Sequence, residues 1–160
     1  MSILLGCIAD DLTGATDLAM ILVRAGMKTV QIVGVPDENT VIPDADAIVI
    51  ALKSRTIEPA DAVSQSLASC EWLLSAGAKQ IFFKYCSTFD STAEGNIGPV
   101  IDALMERLDC QTTIACPSFP ENGRTVYRGY LFVNDGLLSE SSLRNHPLTP
   151  MHDSNLKRVL

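Results

Sequence analysis

A short aliphatic segment that runs into two adjacent aspartates, Asp10 and Asp11, constrains this chain more than any other feature. The apolar residues 3–7 are typical of a buried strand. The apolar spacing over residues 18–25 is that of an amphipathic helix. The carboxylates therefore lie where a strand turns into a helix, and in an open parallel sheet ligands bind at that edge. Because adjacent carboxylates repel each other unless something binds them, we predict a binding role for this pair.

Helix capping is the competing interpretation of the same stretch. In that case Thr13 or Thr16 caps the helix. The acids then only add favourable negative charge near its start. Asp17 is expected in the first helical turn and fits either interpretation.

Strand-like and helix-like segments alternate along the rest of the first 116 residues. Further strands are predicted at residues 29–35, 47–52, 80–85 and 112–116, and further helices begin at Glu58-Pro59 and near Pro99. The apolar stripe of the helix that begins at Glu58 is predicted to comprise Ala60, Val63, Leu67, Cys70 and Leu74. This alternation predicts an α/β fold with an open, mostly parallel sheet and helices on both faces.

The pattern changes from Pro117 onward. A Pro/Gly-rich loop precedes a predicted β-ribbon at residues 125–133. Residues 152–155 are typical of a helix cap and precede an apolar face, but the sequence ends after roughly one and a half turns. We therefore expect residues 1–160 to form one incomplete domain, with a frayed tail as the alternative.

Composition and charge exclude several functional classes. The formal net charge of −7 argues against nucleic acid and against anionic membranes as partners. No apolar stretch approaches the ~20 residues of a membrane span. Five cysteines without a Cys-x-x-Cys pair predict a reducing cytoplasm, with no disulfides and no metal site. Cys7 and Cys110 are expected to behave as small hydrophobes.

Polar residues follow three of the predicted strands, and we expect them to meet at one edge of the sheet. The first strand contributes Asp10 and Asp11, the third leads to Arg55, and the fourth ends at Lys84. Arginine can grip a carboxylate with two parallel bonds, and aspartates accept hydrogen bonds from hydroxyls. The predicted ligand is a small polyhydroxylated acid. The predicted substrate-binding residues are Asp10, Asp11, Arg55, Lys84, Ser87, Asp90, Ser91, Thr92 and Asn96.

These motifs resemble the four-carbon acid sugar kinase family, formerly a domain of unknown function. The matching segments are residues 8–15, 53–56, 83–92, 95–99, 123–125, 147–151 and 153–156. The Lys-Tyr-Cys-Ser-Thr-Phe-Asp-Ser-Thr version at residues 84–92 resembles the branch that acts on 3-oxo-tetronates. The resemblance covers only the family's N-terminal, sugar-acid-binding part.

The resemblance implies a transferase that moves the γ-phosphoryl group of ATP, with Mg²⁺, to the terminal hydroxyl of a four-carbon sugar acid. It also implies that the nucleotide-binding C-terminal domain lies outside this chain. No phosphate-binding loop is recognisable here, so the cofactor-binding residues are unknown. Asp11 or Asp90 is then the catalytic carboxylate that orients or deprotonates the acceptor hydroxyl. We expect the chain alone to be inactive as a kinase, and homo-oligomerisation is left open.

Other functions fit the sequence less well. A phosphoacceptor signalling domain needs an aspartate at the end of the third strand, where Ala51-Leu52-Lys53 stands. A metal-dependent phosphatase needs Asp-x-Asp after the first strand, and Asp10-Asp11 has a different spacing. A stand-alone sugar-acid-binding module remains the alternative. For the site itself we predict that Asp11→Asn and Arg55→Ala each lose substrate binding and keep the fold.

Overall fold

The structure is a computed structural model that describes residues 3–160. These residues form two compact units, residues 3–84 and residues 85–160. The first contains a four-stranded sheet and the second a three-stranded sheet.

The first unit is a parallel α/β layer. Its elements are β1 (Leu5–Ala9), α1 (Leu12–Arg24), β2 (Thr29–Val33), β3 (Ala47–Ala51), α2 (Pro59–Ser75) and β4 (Gln80–Lys84). The strands lie in the order β2-β3-β1-β4, and every pair is parallel. The predicted α/β class is confirmed. However, β1 begins and ends two residues later than predicted, so only Asp10 and Asp11 separate it from α1.

Helices cover both faces of this sheet, as predicted. Successive side chains of a strand point to opposite faces. On β1, Cys7 packs with Ala15 and Leu18 of α1. Gly6 faces the other way, and a Cβ on Gly6 would lie 3.0 Å from Leu73 of α2. Because β3 is buried along its whole length, the aliphatic run at residues 47–51 forms the centre of the core.

The buried face of α2 is not the predicted one. Its buried residues are Ala62, Ser66, Ser69, Cys70 and Leu73, so only Cys70 belongs to the predicted stripe. Leu73, one residue before the predicted Leu74, is fully buried against Gly6. The prediction followed the larger side chains of Val63, Leu67 and Leu74. The face that packs on the sheet consists mostly of small residues instead.

The second unit contains two α-helices and an antiparallel ribbon. Its regular elements are α3 (Ile97–Arg107), β5 (Arg124–Tyr127), β6 (Tyr130–Val133), β7 (Gly136–Leu137) and α4 (Leu156–Val159). The ribbon confirms the prediction for residues 125–133. Arg128 and Gly129, which join β5 to β6, both have positive φ angles. Two such residues fit the right-handed twist of a hairpin.

The predicted fifth strand at residues 112–116 is wrong. These residues are exposed and belong to no strand of the structure, and Ile114 is 85% exposed. Cys110, expected to be a buried small hydrophobe, is exposed as well, whereas Cys7 is buried as expected. A strand-like composition produces a strand only where another strand offers hydrogen-bonding partners. Within residues 3–160, no helix has both the length and the apolar character that a membrane span requires.

Candidate functional site

Backbone hydrogen bonds tie the ends of β1, β3 and β4 together around Asp10. The amide of Asp10 donates to the carbonyl of Lys84 at 3.0 Å. In turn, the amides of Ser54 and Arg55 donate to the carbonyl of Asp10 at 3.0 and 3.2 Å. The residues that follow three parallel strands are therefore held against one another at the carboxyl edge of the sheet.

Arg55 binds both aspartates of the pair. Its Nε donates to Oδ2 of Asp10 at 3.1 Å, and its Nη2 donates to Oδ1 at 2.9 Å. The same Nη2 lies 2.8 Å from Oδ1 of Asp11. The Asp10 side chain is 5% exposed and that of Arg55 is 21% exposed, so this is a largely buried network. The guanidinium explains how two adjacent carboxylates are tolerated here.

Asp11 combines helix capping with a place in this network. It is the N-cap of α1, and its Oδ1 accepts a hydrogen bond from the amide of Gly14 at 2.8 Å. Neither Thr13 nor Thr16 caps the helix, and Asp17, predicted in the first turn, lies beyond it. The capping interpretation was therefore right about the role but wrong about the residue. Both contacts that the described residues make with the Asp11 carboxylate go to Oδ1.

Gly14 lies close to the side chains of both Asp11 and Lys84. A Cβ on Gly14 would lie 2.7 Å from Oδ1 of Asp11 and 3.3 Å from Nζ of Lys84. The first distance is shorter than real carbon contacts allow. The bare Cα therefore keeps an ammonium group beside the carboxylates. Sequence reasoning missed this glycine, whose one signal was its position directly after Asp-Asp-Leu-Thr.

Burial raises the pKa of Asp10 above its usual value. Loss of hydration favours the neutral acid, and this effect outweighs the bonds and positive charge of Arg55, which act in the opposite direction. The nearby charge of Asp11 also raises the pKa, whereas that of Lys84 lowers it. Ionisation of Asp10 therefore lowers the free energy of unfolding of the folded chain.

This shift predicts how stability depends on pH. Above 3.8, the usual value, and below the raised pKa, the folded chain holds the Asp10 proton and the unfolded chain has released it. The Asp10 contribution to the free energy of unfolding therefore falls as pH rises through that window. Urea unfolding of the wild type and of Asp10→Asn between pH 4 and pH 7 tests this. The difference in free energy of unfolding between the wild type and the variant should be largest at the acidic end. A difference that grows with pH would show that Arg55, and not burial, dominates the pKa of Asp10.

The other predicted site residues lie in the second unit, in the loop before α3. Ser87, Asp90 and Thr92 are half-buried, whereas Ser91 and Asn96 are buried. Asn96 is the N-cap of α3 but makes no capping bond through its side chain. Gly95 belongs to the same tight loop, because a Cβ there would lie 1.9 Å from Oγ of Ser91.

Asp90 is held by a residue that the sequence-based site prediction did not include. The hydroxyl of Thr88, which is buried, donates to Oδ1 of Asp90 at 2.5 Å. The Thr88 hydroxyl also lies 2.9 Å from the Cys86 thiol. Phe89, fully buried between Thr88 and Asp90, has a φ of 53°. A bulky residue in the left-handed region is a mark of local strain, which is often found at functional loops.

The described residues do not fit the metal ion that the resemblance implies. Within residues 3–160, no group of three or more His, Cys, Asp or Glu side chains is placed to hold a metal ion. The carboxylates of Asp10 and Asp11 are occupied by Arg55 instead. We therefore assign no step of any reaction to an ion or a nucleotide bound by this chain.

Comparison with known proteins identifies relatives over nearly the whole chain. A family model described as "sugar-binding N-terminal domain" matches residues 5–160. A curated 3-oxo-tetronate kinase from Burkholderia multivorans is 69% identical over 157 residues, which is 98% of this chain and 36% of that protein. The chain spans 36–40% of the length of the curated relatives it matches.

Solved structures share the fold. A Salmonella typhimurium protein superposes with a TM-score of 0.95 at 56% identity, over 99% of this chain and 38% of its own. A Bordetella bronchiseptica protein, which was crystallised as a domain-swapped dimer with bound citrate, superposes with a TM-score of 0.77 at 34% identity. That match covers 98% of this chain and 40% of the Bordetella chain.

Proposed function

Because this chain belongs to the sugar-binding N-terminal domain family, we propose that it forms the acceptor-binding part of an ATP-dependent kinase of four-carbon sugar acids. The substrate is a 3-oxo-tetronate, which is phosphorylated on its terminal hydroxyl. The observation that carries the proposal is the cluster of Asp10, Asp11, Arg55 and Lys84 at the ends of three parallel strands. The kinase relatives support the reaction.

The cluster offers the groups that a sugar acid needs. Since Oδ1 of Asp11 is occupied by Gly14 and Arg55, its second oxygen is suited to accept a hydrogen bond from a substrate hydroxyl. Lys84 supplies positive charge beside the carboxylates for the acid group of the substrate. Arg55 holds the two aspartates in place.

The carboxylate that orients the acceptor hydroxyl, or takes its proton, is Asp11 or Asp90 in this proposal. In phosphoryl transfer the protein mainly positions the reactants and stabilises charge. Asp11 is fixed by its capping bond and by Arg55, and Asp90 is fixed by Thr88. Each is therefore oriented before a substrate arrives. The ATP site, with Mg²⁺, is proposed to belong to the part of the longer relatives that this chain does not span.

The first experiment tests the acceptor site through Asp11→Asn. Asparagine caps helices about as well as aspartate, so the variant removes the charge and keeps the cap. Calorimetry with 3-oxo-tetronate, erythronate and threonate should show binding to the wild type and affinity at least about tenfold lower for the variant, because a charge-assisted hydrogen bond is lost. Asp17→Asn, an exposed position on the same helix, is the control and should bind like the wild type.

The binding experiment and an ATP turnover assay together distinguish part of a kinase from a stand-alone sugar-acid-binding module. Absence of heat with all three acids, or unchanged affinity in Asp11→Asn, would contradict the proposed site. A second assay measures ATP turnover by the chain alone and after mixing with the remaining C-terminal portion of a 3-oxo-tetronate kinase relative. Turnover only in the mixture supports the kinase, whereas binding without turnover in the mixture supports a stand-alone sugar-acid-binding module.

A further inference from the structure

Arg124 is held rigidly at the start of β5. Its amide donates to the carbonyl of Phe119 at 3.1 Å, and its carbonyl accepts from the amide of Phe119 at 2.9 Å. The preceding Gly123 has a φ of 69°, and a Cβ there would collide with the side chain of Asn134. The amide of Asn134 donates to the carbonyl of Gly123 at 2.6 Å. The backbone therefore allows Arg124 little freedom.

The guanidinium of Arg124 is only partly used. Its Nη1 donates to the carbonyl of Asn122, which fixes the plane of the group. Its Nε is buried and has no hydrogen-bond partner. No carboxylate among residues 3–160 forms an ion pair with Arg124, although acidic residues outnumber basic ones by 19 to 12 in the whole sequence. A buried donor left without an acceptor is costly and unusual in a native protein.

Two other arginines show what the edge of the guanidinium formed by Nε and Nη2 binds. Arg55 uses Nε and Nη2 together to grip the carboxylate of Asp10. Arg158 uses the same two nitrogens on Asp153, both at 2.7 Å. In Arg124 the equivalent edge meets no oxygen of the described residues. The fork geometry of guanidinium matches two oxygens of one carboxylate or one phosphate.

We propose that Arg124 is the centre of an oxyanion-binding subsite in the second unit, which takes a phosphate or carboxylate group of a small ligand. Because Nε is buried, binding requires the groups that cover it to move; the ligand's two oxygens then accept from Nε and Nη2, while Nη1 stays on Asn122. The buried Nε gains the acceptor it lacks. This subsite is separate from the proposed role of Asp11, and it stands even if the chain binds no sugar acid.

The test measures the affinity of the whole chain for inorganic phosphate and for erythronate, by calorimetry, in the wild type, Arg124→Met and Arg124→Lys. We expect binding of at least one probe to weaken about tenfold or more in both variants, since lysine keeps the charge but cannot form the fork. Arg128→Met is the matched control, because Arg128 is an exposed arginine of the same hairpin and should not change either affinity.

Each outcome decides the proposal. Loss of phosphate binding alone identifies a phosphoryl subsite. Loss of erythronate binding alone identifies a carboxylate subsite and contradicts the assignment of the substrate's acid group to Lys84. Equal affinities in the wild type and Arg124→Lys for both probes, or no binding of either probe by the wild type, would overturn it. Arg124→Lys also keeps the test decisive if Arg124→Met does not fold. Loss of erythronate binding in Asp11→Asn with phosphate binding retained would show that the two sites are independent.

Discussion

Arg55→Ala is expected to lower the free energy of unfolding by about 2–4 kcal/mol and to remove sugar-acid binding. The loss follows from the burial of Asp10, whose side chain is 5% exposed and whose two oxygens are both bound by Arg55. Without the guanidinium, a buried carboxylate remains beside the carboxylate of Asp11. The pKa of Asp10 then rises further, because burial already raises it and Arg55 opposes that rise. Urea unfolding at pH 7 measures the effect.

Two further variants show whether the ion pair is responsible. Arg55→Lys keeps one positive charge but cannot form two parallel bonds, so its stability should fall between those of the wild type and Arg55→Ala. Adding Asp10→Asn to Arg55→Ala removes the stranded charge and should restore part of the loss. If Arg55→Ala is as stable as the wild type, the network of Arg55, Asp10 and Asp11 does not stabilise the fold.

Gly14→Ala is expected to weaken sugar-acid binding by a factor of about 100 or more, which corresponds to about 2.7 kcal/mol. The new methyl group would lie 2.7 Å from Oδ1 of Asp11 and 3.3 Å from Nζ of Lys84. At least one of these groups must move, and either movement changes the site. The stability of the chain should change by less than about 1 kcal/mol, since alanine favours the helix by about the amount that a disturbed cap costs. Calorimetry with 3-oxo-tetronate and a thermal melt measure the two effects.

Gly136→Ala is the control for this substitution. A Cβ at Gly136 meets no other atom within 4 Å, and its φ is not in the left-handed region. The control should bind and unfold like the wild type. If Gly14→Ala binds normally while it keeps its fold, the space between Asp11 and Lys84 is not part of the acceptor site.

The order of strands and helices in the first unit was predictable because it depends on local patterns. The aliphatic run at residues 47–51 forms a strand buried on both faces, as a parallel sheet requires. Pro59 begins α2, and Gly77, with a φ of 89°, follows its end. Proline, glycine and apolar periodicity act over a few residues, so a single sequence reveals them.

Contacts between distant residues were less predictable. Sequence reasoning assigned Arg55 to the substrate carboxylate, but in the structure its fork lies on Asp10, 45 residues away along the chain. It also predicted a strand at residues 112–116 from composition, although no strand of the structure pairs with that segment. Both differences arise because a side chain or a strand edge binds whichever partner the fold brings near.

The sequence by itself determined that a strand delivers Asp10 and Asp11 to the start of a helix, since apolar runs and their interruption are local properties. Only the tertiary structure decided that Arg55 bridges the pair and that Gly14 lies against the side chain of Lys84. These outcomes depend on which atoms of separate strands come within hydrogen-bonding distance. That distance is set by how the sheet and its helices pack, and it is not encoded in any one segment.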